Sequence, residues 1–196
     1  MTSDEAKKIV RSVMPRYEGA LTQEQVAEGV KLASDNAVRL LKSARLLLHA
    51  GDAPTAMSLS ILALEEHGKI EILNRIGNEK NCDIIRKYWS DYHKHISKTG
   101  AFTEIYAMLK GVVEEVEIRK FQEKNFDLLP MVDLLKQLGF YTDCSGKCRW
   151  HDPRRIGYVM AYTMFTVAEK SITGKIKLDM VLVQKAMSEF GSKRAV

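Results

Sequence analysis

The sequence predicts an all-α bundle built on a long antiparallel helix hairpin, with a short loop or hairpin insertion near residues 139–152. Three observations lead there. Apolar residues recur every three to four positions over most of the chain. Glycine and proline together number 16 of 196 residues, about 8% against a usual ~12%, and most of them fall between the periodic segments. Alternation of aromatic and polar residues is found in one short stretch, 139–150.

The first long helix begins at Thr22, whose spacing to Gln25 is that of a capping box, and carries Val26, Val30, Ala33, Ala37, Leu40, Leu41, Ala44, Leu47 and Leu48. Gly51 suits the position just past its end, and Asp52 with Pro54 suits the first turn of a second helix over 53–76. A connection this short makes the two antiparallel neighbours. The second helix is apolar on nearly all sides through Met57, Leu59, Ile61, Leu62, Ala63 and Leu64, so it should be central. A basic and aromatic stretch, 86–98, follows, and further helices are expected over 103–123, 127–138, 153–171 and 179–190. Residues 1–20 read as an N-terminal helical extension. No internal repeat or long linker divides the chain, so a single helical domain over 1–196 is expected.

Composition narrows the function classes. Hydrophobic residues at 45% and charged residues at 28% are ordinary for a folded domain, which argues against disorder or a fibrous repeat. Three cysteines, an odd number without the spacing of a disulfide framework, and the lack of an apolar run behind Met1 point to a reducing cytoplasm. The longest uncharged runs, 53–64 and 156–168, fall short of the ~20 apolar residues that span a bilayer, so no membrane is expected as partner. A net charge of +5 mildly favours polyanionic partners.

Two groups of polar residues stand out. Glu65 and Glu66 sit in the middle of the central helix and need partners there. Lys69, three residues after Glu66 and four after Glu65, can pair with either, and a cation from a neighbouring helix could satisfy the other. The plainer alternative has Glu66 solvated and Glu65 tied within its own helix. The second group is the stretch 86–98, which holds Arg86, Lys87, His93, Lys94, His95 and Lys98 with three aromatics and one acid, Asp91. Such a mixture can grip phosphates and stack bases. On a helix Asp91, His95 and Lys98 share one face, while Arg86, Trp89 and His93 share another. Histidine can move the protons of RNA cleavage and Lys or Arg can steady the phosphorus charge, all without a metal. The plainer alternative is a solvated basic face with its aromatics packed inward.

Metal chemistry is weakly signalled. Cys144, Cys148 and His151 lack the second ligand pair of a zinc site, so free thiols are the better reading. Glu65, Glu66, Glu114 and Glu115 lack the histidine that a di-metal carboxylate bundle places three residues on. No metal and no cofactor is expected.

The run Asn36-Ala37, Ala44, Leu46-Leu47-Leu48, Ala56 and Ser60-Ile-Leu-Ala-Leu-Glu-Glu-His-Gly-Lys69 resembles the AbiV family of bacterial abortive infection proteins, marked by an Ala-[Ile/Leu]-Glu-Glu-x-Gly-Lys helix. Trp89, His95 and Lys98 resemble that family's aromatic and His-x-x-Lys segment. Gly139-Phe-Tyr141-Thr-Asp143 with Gly146, Trp150 and Pro153 resembles its later block. The resemblance covers about 22–170. It implies a HEPN-like helical bundle and an antiphage effector that arrests growth or translation of infected cells, with RNA or the translation machinery as partner, a phage protein as trigger, and a homodimer. Many HEPN proteins are metal-independent ribonucleases with an Arg-x(4 to 6)-His motif. Arg86 and His93 have a fitting gap, whereas His95, which matches the AbiV pattern better, lies beyond that range from Arg86. The expected catalytic residues are therefore His95 or His93 with Glu65, Glu66 and Lys69. Arg86, Lys94 and Lys98 are expected to bind RNA, and Asn36, Asp91, Tyr141 and Asp143 to be structural polar residues. The alternative is a non-catalytic module that blocks translation by docking on a protein or the ribosome.

Overall fold

The computed structural model describes residue 4 and residues 16–93, 129–145, 149–175 and 179–192. Its elements are α1 (Gln23–Ala50), α2 (Ala53–Asn78), α3 (Cys82–His93), α4 (Leu129–Phe140), β1 (Asp143–Ser145), β2 (Arg149–His151), a short 3₁₀ turn (Pro153–Arg155), α5 (Tyr158–Thr173) and α6 (Met180–Ser192). The all-α architecture with a small hairpin insertion is the one expected, and α6 matches the helix expected over 179–190. The expected helix over 103–123 lies outside the described residues. Of the expected N-terminal extension, Asp4 is helical, 16–20 are irregular, and the rest lies outside the described residues.

Local chemistry fixes the central hairpin. Thr22 and Gln25 form a reciprocal capping box at the start of α1. Gly51 ends the helix at φ 86°, a left-handed conformation in which any side chain would be strained. Its neighbour Asp52 accepts from the Thr55 amide at 3.3 Å, and Pro54 sits in the first turn of α2. The chain therefore reverses within two residues, and α1 and α2 pack along their lengths.

As expected for a helix apolar all round, α2 is central, packed by α1, α3, α4 and α5. It divides the interior in two. Its N-terminal half, with Met57, Ile61 and Leu64, joins Leu41 and Leu48 of α1, Val132 of α4, Phe165 of α5 and Leu182 of α6. Its C-terminal half, with Ile72, Leu73 and Ile76, joins Ile85 and Trp89 of α3. Each fully buried Phe, Ile, Leu or Met here contributes about 1.5–3 kcal/mol. Glu65 and Glu66 lie where these two cores meet.

A close backbone approach sets α4 on α2. A Cβ added at Gly139 would overlap the Ser58 hydroxyl and stand 2.5 Å from the Pro54 carbonyl oxygen. Ser58 donates across this contact to the Lys136 carbonyl at 2.7 Å. Beyond α4, β1 and β2 pair antiparallel with Asp143 opposite His151 and Cys144 opposite Trp150. No helix among the described residues is long and apolar enough to cross a membrane.

Candidate functional site

Adjacent residues on a helix point about 100° apart, so Glu65 and Glu66 cannot serve the same neighbour. Glu65, 5% exposed, lies on the face of Ser58 and Ile61 and turns to α4, where Lys136 Nζ stands 2.7 Å from its Oε1. Lys136 also meets Asp133, one turn before it on α4, at 2.8 Å. Burial disfavours the ammonium, but the hydrogen bonds it donates to Asp133 and Glu65, with the attraction of their charges, outweigh this and hold Lys136 above the ordinary lysine range. Glu66 turns towards α3 and is ion-paired with Lys69 of its own helix. The cation that satisfies Glu65 thus comes from a neighbouring helix, and Lys69 belongs to Glu66. The plainer alternative, with Glu66 solvated and Glu65 tied within its own helix, does not hold: Glu66 is paired with Lys69, and Glu65 reaches across to α4.

A second cluster grows from that ion pair. The Lys69 ammonium lies 5.3 Å from the centre of the Tyr92 ring, within cation–π range. Tyr92 in turn stands edge-on to His93 at 5.5 Å and to Trp89 at 5.3 Å. His93 lies nearly parallel to Trp89, with ring centres 6.2 Å apart and planes 24° apart. Trp89 is buried, and its indole N–H donates to the Gly19 carbonyl at 2.8 Å. The half-buried cluster of Glu66, Lys69, Tyr92 and His93 therefore joins an acid, an ammonium, a phenol and an imidazole across the α2–α3 contact. Half-burial matters here, because it lowers the effective dielectric around these groups. Beside it on α2, burial holds the His67 imidazole below the ordinary histidine range.

The remaining expected site residues divide. Arg86 and His93 lie on one helix, two turns and about 10 Å apart, but the Arg86 guanidinium is exposed and paired with Asp83 at 2.8 Å. The face expected for Arg86, Trp89 and His93 is therefore split, with Trp89 inside and Arg86 in solvent. Asp91 is half-buried on α3. Asn36 accepts from Arg39 one turn along α1, at 3.0 and 2.8 Å. Tyr141 is exposed beside the Phe140 ring, 6.1 Å away, and Asp143 opens β1. Lys94, His95 and Lys98 lie outside the described residues. Cys144 is exposed, and His151 Nε2 lies 2.9 Å from the Leu138 carbonyl at the end of α4. Among the described residues no three His, Cys, Asp or Glu side chains come together as metal ligands.

Two parts of this arrangement are not among the residues expected. Tyr92, one of the three aromatics of the basic stretch, bridges Lys69 to His93. Lys136 shares a helix face with Val132 and Gly139, and a lysine inside an apolar stripe is itself a sign of a buried partner. A HEPN-type family model described as AbiV matches residues 25–173. No curated protein and no solved structure matches the chain.

Proposed function

Because the chain belongs to the AbiV family, we propose that it is an antiphage effector of abortive infection which arrests growth or translation of infected cells by metal-independent cleavage of RNA at the α2–α3 cluster. The observation that supports this reading is that the Lys69 ammonium and the His93 imidazole both meet one tyrosine ring, 5.3 and 5.5 Å from its centre. Cleavage by the 2′-hydroxyl needs a base to take its proton, an acid to protonate the leaving 5′-oxygen, and a cation near the developing phosphorane charge. In this proposal His93, or His95 two residues on in the sequence, moves the protons. Lys69 supplies the cation, and Glu66 holds Lys69 in place. Arg86, Lys94 and Lys98 bind phosphates on either side. Glu65 acts at a distance from the chemistry, since its pairing with Lys136 sets the helix that carries the cluster.

A cytoplasmic homodimer acting on RNA or the translation machinery and released by a phage protein completes the proposal. The test is incubation of the purified chain with cellular RNA in excess EDTA. Wild type should cleave, and His93→Ala with His95→Ala in one chain should not. Equal survival of the RNA with both proteins, in the presence of a phage lysate, would contradict the nuclease reading.

One observation favours a second reading. Lys69 is already neutralised by Glu66 and Lys136 by two carboxylates, as struts in a non-catalytic module would be. Such a module would block translation by docking on a ribosomal or phage component. Under it, Glu65→Gln lowers stability, while His95→Ala leaves phage resistance intact.

A further inference from the structure

Residues 16–21 pack against Trp89 of α3, beside the cluster, before α1 begins. Tyr17 places its ring edge-on to Trp89, with centres 5.9 Å apart and planes at 89°, and is itself 54% exposed. Its hydroxyl donates to the Ala20 carbonyl at 2.7 Å, which closes the segment into a tight turn. Among the described residues this turn is tied to α3 by one hydrogen bond, from the Trp89 indole to Gly19. Leu21 then packs on the apolar core around Trp89. Position 19 has no room for more than glycine while Tyr17 stays where it is, since a Cβ there would meet the Tyr17 hydroxyl oxygen at 2.6 Å.

We infer that residues 16–21 form a strap that regulates this same site, with Tyr17 packed against Trp89, the ring on which an unstacked RNA base would otherwise stack. The inference rests on the RNA reading above. Bases stack on aromatic side chains, and the stacked Trp89–His93 pair adjoins Tyr92, the ring that the Lys69 ammonium meets. Tyr17 is well placed to compete for that pair. The strap is held by few contacts, its residues 16, 17, 18 and 20 are exposed, and such segments open at low cost. A closed strap lowers the apparent affinity by the fraction of molecules that are open.

Three full-length variants test this in a Trp150→Phe background, which leaves Trp89 as the one tryptophan. Tyr17→Ala removes the ring, Gly19→Ala displaces it, and Tyr17→Phe keeps it. The probe is a short fluorescein-labelled 2′-O-methyl oligoribonucleotide, which lacks the attacking hydroxyl and stays intact during titration. Tyr17→Ala and Gly19→Ala should raise acrylamide quenching of Trp89 and tighten binding ~2- to 10-fold, the range that one edge-on aromatic contact sustains. Tyr17→Phe keeps the ring but loses the bond to the Ala20 carbonyl, so it should bind between the parent and Tyr17→Ala. Measurable binding by the parent that neither Tyr17→Ala nor Gly19→Ala tightens would overturn the strap and leave the RNA reading standing. Binding by none of the four proteins would overturn the RNA reading and the strap together. Thermal melts of all four identify loss of fold, and the agreement of two variants that act by different means guards against a local defect in one.

Discussion

Lys136 Nζ lies 2.7 Å from Glu65 Oε1, in an ion pair buried between α2 and α4. It joins the α2 turn that carries Glu66 and Lys69 to the helix that leads into the β-hairpin. Removing one partner strands the other charge in the interior. Lys136→Met should therefore lower unfolding free energy by about 3–5 kcal/mol, and Glu65→Leu in the same chain should restore most of it. Urea denaturation of the single and double variants measures both effects.

The same lysine gives stability an alkaline limit. Its folded pKa is raised, so its contribution is fully present below the unfolded lysine value of ~10.4 and is lost as pH rises through the folded value. The urea midpoint of the wild type should fall above that pH. The midpoint of the Glu65→Leu, Lys136→Met double variant should fall less steeply over the same range.

His67 has the opposite sign. Burial depresses its folded pKa, so the unfolded chain binds the proton more readily, and stability is lost as pH falls from about 6.5 through the folded value. His67→Gln should flatten the stability profile on that acid flank. Thermal melts of the two proteins across the range, each compared with its own value at neutral pH, measure the difference.

Gly139 is a contact rather than a hinge. Gly139→Ala forces α4 away from the Pro54 carbonyl and from Ser58, an overpacking that should cost about 1–3 kcal/mol or more. Adding Ser58→Ala should recover only part of the loss, because the backbone oxygen of Pro54 stays in the way. Chemical denaturation of the two chains separates the side-chain share from the backbone share.

What the sequence made legible was what neighbours along the chain decide. The capping box at Thr22, the reversal at Gly51 and Asp52, the all-round apolar character of 57–64 and the Glu66–Lys69 spacing are each local, and each appears in the fold. The partners of buried charges are not local. Arg45 of α1 pairs with Glu169 of α5, which is 3% exposed, and no spacing along the chain links the two. The sign was present in the periodicity: Arg45 falls between the buried Leu41 and Leu48, and Glu169 follows Phe165 by one turn. A charge on a core face announces that a counter-charge exists, but its address is set by helix packing. The strap is the extreme case, because Tyr17 and Trp89 are far apart in the chain and no spacing rule links them.

The central claim is that the cluster of Glu66, Lys69, Tyr92 and His93 carries the defence function, and phage challenge of cells expressing variants tests it most directly. The set comprises wild type, Glu65→Gln, Lys69→Met, Lys98→Met, and His93→Ala with His95→Ala, each with its expression measured. The account predicts that Lys69→Met and the double histidine variant lose protection at wild-type protein levels, whereas Glu65→Gln loses protection together with protein level. Full protection by both cluster variants at normal expression would contradict it.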